Sequence, residues 1–288
     1  MKISLILCSV NRIQSVENFF NSLLLQTFKN YEVVVIDQNR DNRLDKIIDK
    51  FSSKLSIKVL KTTPGLSKSR NLGLKNIDGD IVCFPDDDCK YTHDLLFNVN
   101  EYFQENGKID FILGKTIDPK TKLFSAGKNI LQAGKVKCYH FGGSSTSLFI
   151  RLRSKDVYFH FDEKFGIGAE YPAEEENDLI MRLVNMNRKG MYLPENIIIH
   201  HPNKDDDYTN INRGIDRGLA FGALIAKHLF TSCGLIYFFN YLFFRIPFSI
   251  IAACIKLEKT KYHYLIKKYF STWRGFCIYL KENYDKRI

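Results

Sequence analysis

The sequence predicts an α/β fold with a mostly parallel central sheet flanked by helices, followed by a C-terminal helical appendage that associates with membranes. First, short apolar runs alternate with segments of helical periodicity. Second, these runs are apolar without alternation, which is typical of parallel strands covered on both faces. Third, the chain becomes strongly aromatic and basic near residue 230. We therefore predict an α/β domain over residues 1–230 and an amphipathic helical segment over residues 231–288.

The individual elements follow from the spacing of apolar residues. Strands are predicted at 3–8, 31–36, 57–60, 81–84, 109–114 and 146–151, and helices at 16–25, 67–76 and 92–105. A carboxylate-rich segment from Glu174 to Asp178 opens a further helix, because acidic side chains in a first turn suit the helix dipole. Two short strands are then expected to end at His200-His201-Pro202.

Polar residues follow three of these strands at the point where each ends. Ser9, Asn11 and Arg12 follow the first strand, Asp37 follows the second, and Asp86-Asp87-Asp88 follows the strand at 81–84. In open parallel sheets, ligands bind beyond the carboxyl ends of the strands. We therefore expect these three clusters to meet at one edge and to form a binding site.

The aspartate triplet carries the most specific chemistry. Residues at i and i+2 of an extended turn point to the same side, so Asp86 and Asp88 can share one site while Asp87 faces away. Hard carboxylate oxygens of this kind suit Mg²⁺ or Mn²⁺, which keeps some waters and bridges to substrate phosphates. The pattern predicts a site for a metal ion with a diphosphate.

Several segments, in this order, resemble family 2 glycosyltransferases of the GT-A fold. The matching residues are Ser9-Val10-Asn11-Arg12, Asp37-Gln38, Gly65-Leu66-Ser67-Lys68-Ser69-Arg70-Asn71-Leu72-Gly73, Phe84-Pro85-Asp86-Asp87-Asp88, Phe161-Asp162-Glu163 and Glu175-Glu176-Asn177-Asp178-Leu179 with Arg182. The resemblance covers residues 1 to about 205. It implies an inverting transfer of a sugar from a nucleotide donor, bound with Mn²⁺ or Mg²⁺, to a glycan acceptor.

The resemblance also implies roles for individual residues. Asp37 would contact the base, Asp86 would approach the ribose, Asp88 would hold the metal, and Arg70 and Asn71 would lie on the donor side. The expected donor site comprises Ser9, Asn11, Arg12, Asp37, Arg70, Asn71, Asp86 and Asp87, and the expected metal ligands are Asp88, Asp86 and His200. Neighbouring strand residues face opposite ways, so only one of His200 and His201 can complete the metal shell, and we favour His200.

A second carboxylate group is needed because transfer to a hydroxyl requires a general base on the acceptor side. Glu175, Glu176 and Asp178 are the candidate catalytic residues. Alignment on Asp178 and Arg182 places Glu176 where the family usually has an aspartate, which is a departure from the pattern. Either Glu176 is the base in a slightly wider site, or Glu175 has taken over.

The C-terminal segment has two interpretations. Residues 234–255 are apolar and aromatic but interrupted by Arg245 and Pro247, which argues against a simple membrane span. The segment either closes the hydrophobic core or lies at an anionic membrane surface. The N-terminus lacks a signal-peptide pattern, so we expect a cytoplasmic protein on the inner face of the cell membrane, with a polyprenyl-diphosphate-linked acceptor.

Three other functions are less compatible with the sequence. A sugar-nucleotide pyrophosphorylase would have a Gly-rich, Arg-containing loop after the first strand, where this chain has Cys8-Ser9-Val10-Asn11. A catalytically silent membrane-binding module would not need its acidic residues intact. The formal charge of +10 allows nucleic-acid binding, but the basic excess lies in an aromatic tail without a nucleic-acid motif. A donor based on UDP, dTDP or GDP is the favoured ligand.

Overall fold

The structure, a computed structural model, describes residues 1–118, 124–126, 132–137, 144–153, 159–200 and 208–284. The chain forms two compact units, which are treated separately below. The first comprises Met1–Phe161 and Asn187–Asn203, and the second comprises Asp162–Met186 and Lys204–Ile288. The predicted boundary at residue 230 falls inside the second unit, and the division at that point stays a prediction.

The first unit is built on one mixed sheet, which has ten strands among the described residues. The strands are β1 (Ile3–Ser9), β2 (Tyr31–Asp37), β3 (Ile57–Lys61), β4 (Ile81–Cys83), β5 (Cys89–Tyr91), β6 (Phe111–Ile117), β7 (Phe124–Ala126), β8 (Gly134–Lys135), β9 (Leu148–Arg151) and β10 (Gly190–His200). Their order is β3-β2-β1-β4-β9-β6-β10-β5, with β7 beside β6 and β8 beside β10.

The half of the sheet formed by β3, β2, β1 and β4 is parallel throughout. Its central strands β1 and β2 are almost entirely buried, as their apolar sequences predict. The other half mixes directions, because β9 runs antiparallel to both β4 and β6 whereas β10 runs parallel to β6. The predicted α/β class, with a central sheet flanked by helices, is confirmed.

Helices of the first unit are α1 (Ile13–Leu24), α2 (Asp45–Ser52), α3 (Leu66–Leu74) and α4 (Leu95–Glu105). The helix α1 buries Val16, Phe19, Phe20 and Leu23, which is the apolar stripe that predicted it. Close packing fixes α3 on β1, since a Cβ at Gly73 would lie 2.4 Å from the Ile6 side chain. The close packing of α3 on β1 therefore depends on the absence of a side chain at Gly73.

The second unit is helical. Its helices are α5 (Glu175–Asn185), α6 (Ile211–Lys227), α7 (Ser232–Tyr237), α8 (Ile246–Ile255) and α9 (Lys259–Tyr284). A π-helical stretch, Phe238–Arg245, joins α7 to α8, so that Ser232–Ile255 is one continuous helix. It is long and apolar enough to cross a membrane, and it is the one such helix in the part of the chain that the structure describes.

Several local predictions need correction. The helix α2 was missed because only Ile47 and Phe51 of its eight residues are buried, which leaves little periodic signal. The segment predicted as a strand from residue 146 starts with a 3₁₀ turn, Ser145–Ser147, before β9. One bulged strand, β10, replaces the two short strands, and its register against β6 shifts between Tyr192 and Ile197. The Gly142-Gly143 loop and His201 lie outside the described residues.

Candidate active site

The three polar clusters of the first unit meet at one edge of the sheet, as predicted. Ser9 and Asp37 are paired at the last position of the β1–β2 register, and the Gln38 amide donates to the Ser9 carbonyl at 3.0 Å. An isolated parallel bridge joins Cys8 to Asp86, which continues the β1–β4 pairing into the aspartate turn. The order of the strands alone therefore brings the C-terminal ends of β1, β2 and β4 together.

The aspartate turn is held by hydrogen bonds to the end of β1. The Ser9 hydroxyl donates to Asp87 Oδ2 at 2.7 Å, and Arg12 donates to Asp87 Oδ1 at 3.0 Å. Arg12 also bonds Asp88 Oδ2 at 2.6 Å. Burial raises the pKa of Asp87 to about 6 although Ser9 and Arg12 oppose the shift. Asp87 thus faces the protein, whereas the side chains of Asp86 and Asp88 are partly exposed at the edge.

Arg70 lies under the turn as a buried cation, with only 2% of its surface exposed. Its guanidinium donates to the Ser145 hydroxyl at 2.8 Å and lies 3.3 Å from Asp86 Oδ1. The rings of Phe84 and Phe161 cover it, with centroids 5.9 and 5.1 Å from the guanidinium carbon. This arrangement fixes the positive charge in place and orients the carboxylate of Asp86.

Asn71 lies beside the site and forms two hydrogen bonds with the backbone of Phe161. Its amide nitrogen donates to the Phe161 carbonyl at 2.9 Å, and its amide oxygen accepts from the Phe161 amide at 2.8 Å. This reciprocal pair attaches residue 161 to α3, next to Arg70. The position of the Phe161 ring over Arg70 therefore depends on Asn71.

Asp37 is the most unusual carboxylate at this edge, being 1% exposed. Its Oδ1 accepts from the backbone amide and the side-chain amide of Asn39, at 2.9 and 2.7 Å. Its Oδ2 is buried and has no hydrogen-bond partner within the described residues, and Lys61 Nζ lies 3.9 Å away. A buried carboxylate oxygen without a hydrogen-bond donor is costly, and a donor on a bound ligand would satisfy this one.

The loop after β1 is anchored beside Asp37. The Asn11 amide donates to Asn39 Oδ1 at 2.7 Å, and Asn11 Oδ1 accepts from Arg43 at 2.5 Å. Asn11 has a φ of 60°, a left-handed conformation that asparagine tolerates better than most residues. Sequence reasoning singled out Asn11 but assigned no role in the site to Asn39, Arg43 or Ser145, because their roles arise from tertiary contacts.

The residues at this edge fit a divalent cation that is bound together with a diphosphate. In the described part of the chain, no group of three or more His, Cys, Asp or Glu side chains forms a closed metal site. Mg²⁺ needs only one or two carboxylates when phosphate oxygens and water complete its shell, and Asp86 and Asp88 supply that number. The backbone of His200 ends β10 beside Cys89, but its side chain lies outside the described residues.

In the second unit, the candidate catalytic carboxylates lie in the first turn of α5. Glu174 precedes the helix in a left-handed conformation, with a φ of 71°, and its Oε2 accepts from the Asn177 amide at 2.6 Å. Glu175 is buried and Glu176 is half-buried in the turn that follows. The positive end of the α5 helix dipole lies at these residues.

Asp178 is fully buried and surrounded by cations. Its Oδ2 accepts from Arg182 at 2.9 Å, while its Oδ1 accepts from His228 at 2.9 Å and lies 2.7 Å from Lys227 Nζ. Lys227 also bonds Asp162 Oδ2 at 2.6 Å. Although burial opposes it, the bond from His228 and the charges of Arg182 and Lys227 hold the pKa of Asp178 well below its usual range. Asp178 therefore links α5 to the end of α6.

The chain is similar in sequence to known glycosyltransferases. The family model described as "Glycosyl transferase family 2" matches residues 4–151, slightly more than half of the chain. The poly(ribitol-phosphate) beta-N-acetylglucosaminyltransferase TarS of Staphylococcus aureus is 32% identical over 199 residues, which is 65% of this chain and 33% of TarS. An uncharacterized glycosyltransferase of Haemophilus influenzae is 30% identical over 112 residues, which is 38% of this chain and 37% of that protein. The chain thus spans about a third of the length of these curated relatives.

Solved structures share the fold. TarS 1–349 in complex with UDP-GlcNAc superposes with a TM-score of 0.58 at 20% identity, covering 99% of this chain and 92% of that one. The mannosyltransferase PcManGT of Pyrobaculum calidifontis, in complex with GDP-Man and Mn²⁺, gives a TM-score of 0.62 at 13% identity, with 95% and 87% covered. Together with the family match, these likenesses show that the chain belongs to glycosyltransferase family 2 and has the GT-A fold.

Proposed function

We propose that this protein is an inverting, metal-dependent glycosyltransferase that moves a sugar from a nucleoside-diphosphate donor to a glycan acceptor in surface polysaccharide synthesis. The observation that carries the proposal is the buried, unpartnered Oδ2 of Asp37 at the same sheet edge as Asp86 and Asp88. Asp37 Oδ2 can accept a hydrogen bond from a nucleobase, and the carboxylates of Asp86 and Asp88 suit a metal ion that binds a diphosphate. A nucleoside diphosphate needs both.

The acceptor character of Asp37 Oδ2 favours particular nucleobases. Because Oδ2 is an acceptor, it matches a ring N–H, which uracil, thymine and guanine present and which cytosine and adenine lack at the corresponding position. Donors based on UDP, dTDP or GDP therefore suit the site. The TarS complexes contain UDP and UDP-GlcNAc, and the PcManGT complex contains GDP-Man with Mn²⁺, which is consistent with this choice.

We assign the diphosphate to the edge formed by Asp86, Asp88 and Arg12. A bound Mn²⁺ or Mg²⁺ would be held by Asp88 and Asp86, with His200 as the further candidate, and would stabilise the leaving diphosphate. The guanidinium of Arg12 bonds Asp88 at 2.6 Å, is half-exposed, and can turn to a phosphate oxygen when the carboxylate takes a metal. Arg70 keeps Asp86 oriented from beneath.

The transfer needs a proton acceptor on the acceptor side, and Glu176 or Glu175 supplies it. The acceptor hydroxyl oxygen forms a bond to the anomeric carbon, its proton passes to the glutamate, and the bond from the anomeric carbon to the diphosphate oxygen breaks. Asp178 is unsuited to this role, because its low pKa and its cationic partners make it a poor base. We propose instead that Asp178 positions the first turn of α5.

We further propose that the acceptor is lipid-linked, for example a polyprenyl-diphosphate-linked oligosaccharide, and that the protein works on the cytoplasmic face of an anionic membrane. The apolar helix Ser232–Ile255 supports this, since only 17% of its most apolar stretch is buried. A membrane-attached enzyme meets a lipid-linked acceptor in two dimensions, which raises the local concentration of both.

A panel of sugar nucleotides tests the proposal. Release of nucleoside diphosphate is measured without acceptor and with Mn²⁺, for the wild type, for Glu176→Gln and for Asp49→Asn as an exposed control. We expect turnover of at least one UDP-, dTDP- or GDP-sugar, which the control retains and Glu176→Gln loses. If the protein binds no nucleotide in the presence of Mn²⁺, the proposal is wrong and the alternative of a catalytically silent membrane-binding module is favoured.

A further inference from the structure

The helix Ser232–Ile255 has one exposed apolar face. Large apolar side chains are exposed along its length, and Phe248 has 65% of its surface accessible. These residues are Leu235, Ile236, Phe239, Phe243, Phe244, Phe248, Ile251 and Ile255. From Ile236 to Ile255 the face extends about 28 Å at 1.5 Å per residue. Arg245 is the one ionisable Lys, Arg, Asp or Glu residue of this helix.

The opposite face of the same helix is packed. Leu242, Ile246 and Ala253 are buried, and α8 packs against α9. Trp273 of α9 contacts the ring of Phe238 at a centroid distance of 6.3 Å. The helix is therefore fixed along one side and open along the other.

The chain turns back directly after this helix. Leu257 has a φ of 56°, and the Glu258 amide donates to the Ala253 carbonyl at 2.9 Å, which closes the helix end. The helix α9 then runs alongside α6 in backbone contact. A Cβ at Gly218 would lie 2.5 Å from the Lys268 carbonyl, and one at Gly222 would lie 1.9 Å from the Thr272 carbonyl.

This packing decides how the apolar helix can meet a bilayer. If Ser232–Ile255 crossed the membrane, α9 and α6 would have to accompany it. These two helices carry Arg217, Lys267, Lys268 and Arg274 in their interiors, and Arg213 lies in the first turn of α6. Each Lys or Arg is strongly unfavourable at the bilayer centre. Contact through one exposed face avoids that cost entirely.

The exposed side of α9 supplies a matching charge pattern. After its first turn, the exposed residues recur at intervals of three and four, which places them on one stripe: His263, Lys267, Phe270, Arg274, Cys277 and Lys281. Three of the six are cationic, and the described part of the stripe has no acidic residue. A basic stripe beside an apolar helix suits anionic headgroups above acyl chains.

We propose that the surface formed by the exposed face of Ser232–Ile255 and the basic stripe of α9 docks in the plane of one leaflet of an anionic membrane, without crossing it. The inference rests on the membrane part of the proposed function and is independent of the nucleotide chemistry. Phe244, Phe248 and Ile251 enter the acyl region, while Lys267 and Arg274 meet the headgroups.

Flotation of the full-length protein with vesicles tests the docking surface. We expect binding to vesicles of phosphatidylcholine mixed with phosphatidylglycerol, weakened by salt, and little binding to phosphatidylcholine alone. Each basic residue at an anionic surface contributes about fivefold, so the triple change Lys267→Gln, Arg274→Gln, Lys281→Gln should weaken binding roughly a hundredfold. The triple change Lys46→Gln, Lys54→Gln, Lys108→Gln alters the net charge equally at exposed sites of the first unit and should have little effect.

The apolar contribution has its own pair of variants. The double change Phe248→Ser, Ile251→Ser removes exposed side chains only, so the fold should persist while vesicle binding falls. Phe97→Ser removes an exposed phenylalanine of the first unit and should leave binding intact. UDP binding by each variant, measured by calorimetry, keeps a failure of the docking surface distinct from a failure of the nucleotide site.

Labelling distinguishes docking from crossing. One cysteine at a time is introduced at the two ends of the helix, Ser232→Cys or Lys256→Cys, in a background with the exposed Cys254 and Cys277 replaced by serine. Labelling of that background, which keeps the other five cysteines, is subtracted. A maleimide that cannot cross bilayers should label both sites equally when added outside the vesicles. Protection of the Lys256→Cys site alone would establish a span and overturn the proposal. Binding that ignores lipid charge and both sets of variants would also overturn it, as would a dimer that Phe248→Ser dissociates.

Discussion

Replacement of Asp37 by asparagine changes the chemistry of the proposed base site with little change in shape. The two N–H groups of Asn39 point at Oδ1, at 2.9 and 2.7 Å. They will hold the oxygen of the new amide in that position. The amide nitrogen must then occupy the position of Oδ2, so the site presents a donor where it had an acceptor.

The size of the effect follows from the bond that is lost. A hydrogen bond from a base N–H to a buried carboxylate contributes about 1.5–3 kcal/mol. A loss of about 2 kcal/mol corresponds to a roughly 30-fold weaker affinity for UDP. Cytosine presents a lone pair at the ring position where uracil presents N–H, so CDP should bind the Asp37→Asn variant more tightly than it binds the wild type.

Titration calorimetry with UDP and CDP, with Mn²⁺ present, measures this change. The variant should fold about as stably as the wild type, because the new amide oxygen keeps the two hydrogen bonds from Asn39 and the lost charge has its nearest cation, Lys61 Nζ, 3.9 Å away. A matched control, Asp49→Asn, alters an exposed aspartate of α2. If UDP affinity changes less than threefold in Asp37→Asn, or if UDP and CDP weaken equally, Asp37 does not read the base.

The remaining predictions concern the metal and the carboxylates of α5. Asp88→Ala should abolish transfer and the effect of Mn²⁺ on UDP affinity while sparing the fold, as checked by calorimetry and circular dichroism; retained Mn²⁺ dependence contradicts its role. Glu176→Gln should remove turnover but preserve donor binding, and near-normal turnover would direct attention to Glu175. Asp178→Asn should destabilise the protein by about 3–5 kcal/mol near neutral pH, because it leaves buried cations without their partner. The depressed pKa of Asp178 means that its stabilisation is present above about pH 4 and is lost as the pH falls further, so urea titrations of the variant should depend less on pH there.

The sequence predicted the part of the site that depends on strand order. Apolar strands without alternation identified the parallel half of the sheet, and the residues after each strand then had to meet at its edge. Ser9, Arg12, Asp37 and Asp86 lie together there for that reason. Their individual functional roles stay predictions.

The rest of the site depends on contacts that no local pattern records. Ser145 meets Arg70 across 75 residues, and His228 meets Asp178 across 50. Neither Ser145 nor His228 belongs to a motif, and each acquires a role only through packing. The short strand β5 was missed for a similar reason, since its three residues pair with β10 more than a hundred positions later. Long-range pairing decides such elements, and local propensity does not.

The way in which the apolar helix contacts its surroundings could be inferred only with the structure. The sequence showed its length, its aromatic content and its interruption by Arg245 and Pro247. The sequence left open whether the helix closes a core, lies on a membrane or spans it. The return of α9 along α6 favours one-sided contact, because it ties charged helices to the apolar one.

Titration of the wild type and Asp88→Ala with UDP, each with and without Mn²⁺, tests the central claim most directly. The account predicts that Mn²⁺ tightens UDP binding to the wild type at least tenfold and leaves the variant unaffected. Equal UDP affinity with and without the metal, or an unchanged metal effect in Asp88→Ala, would contradict it.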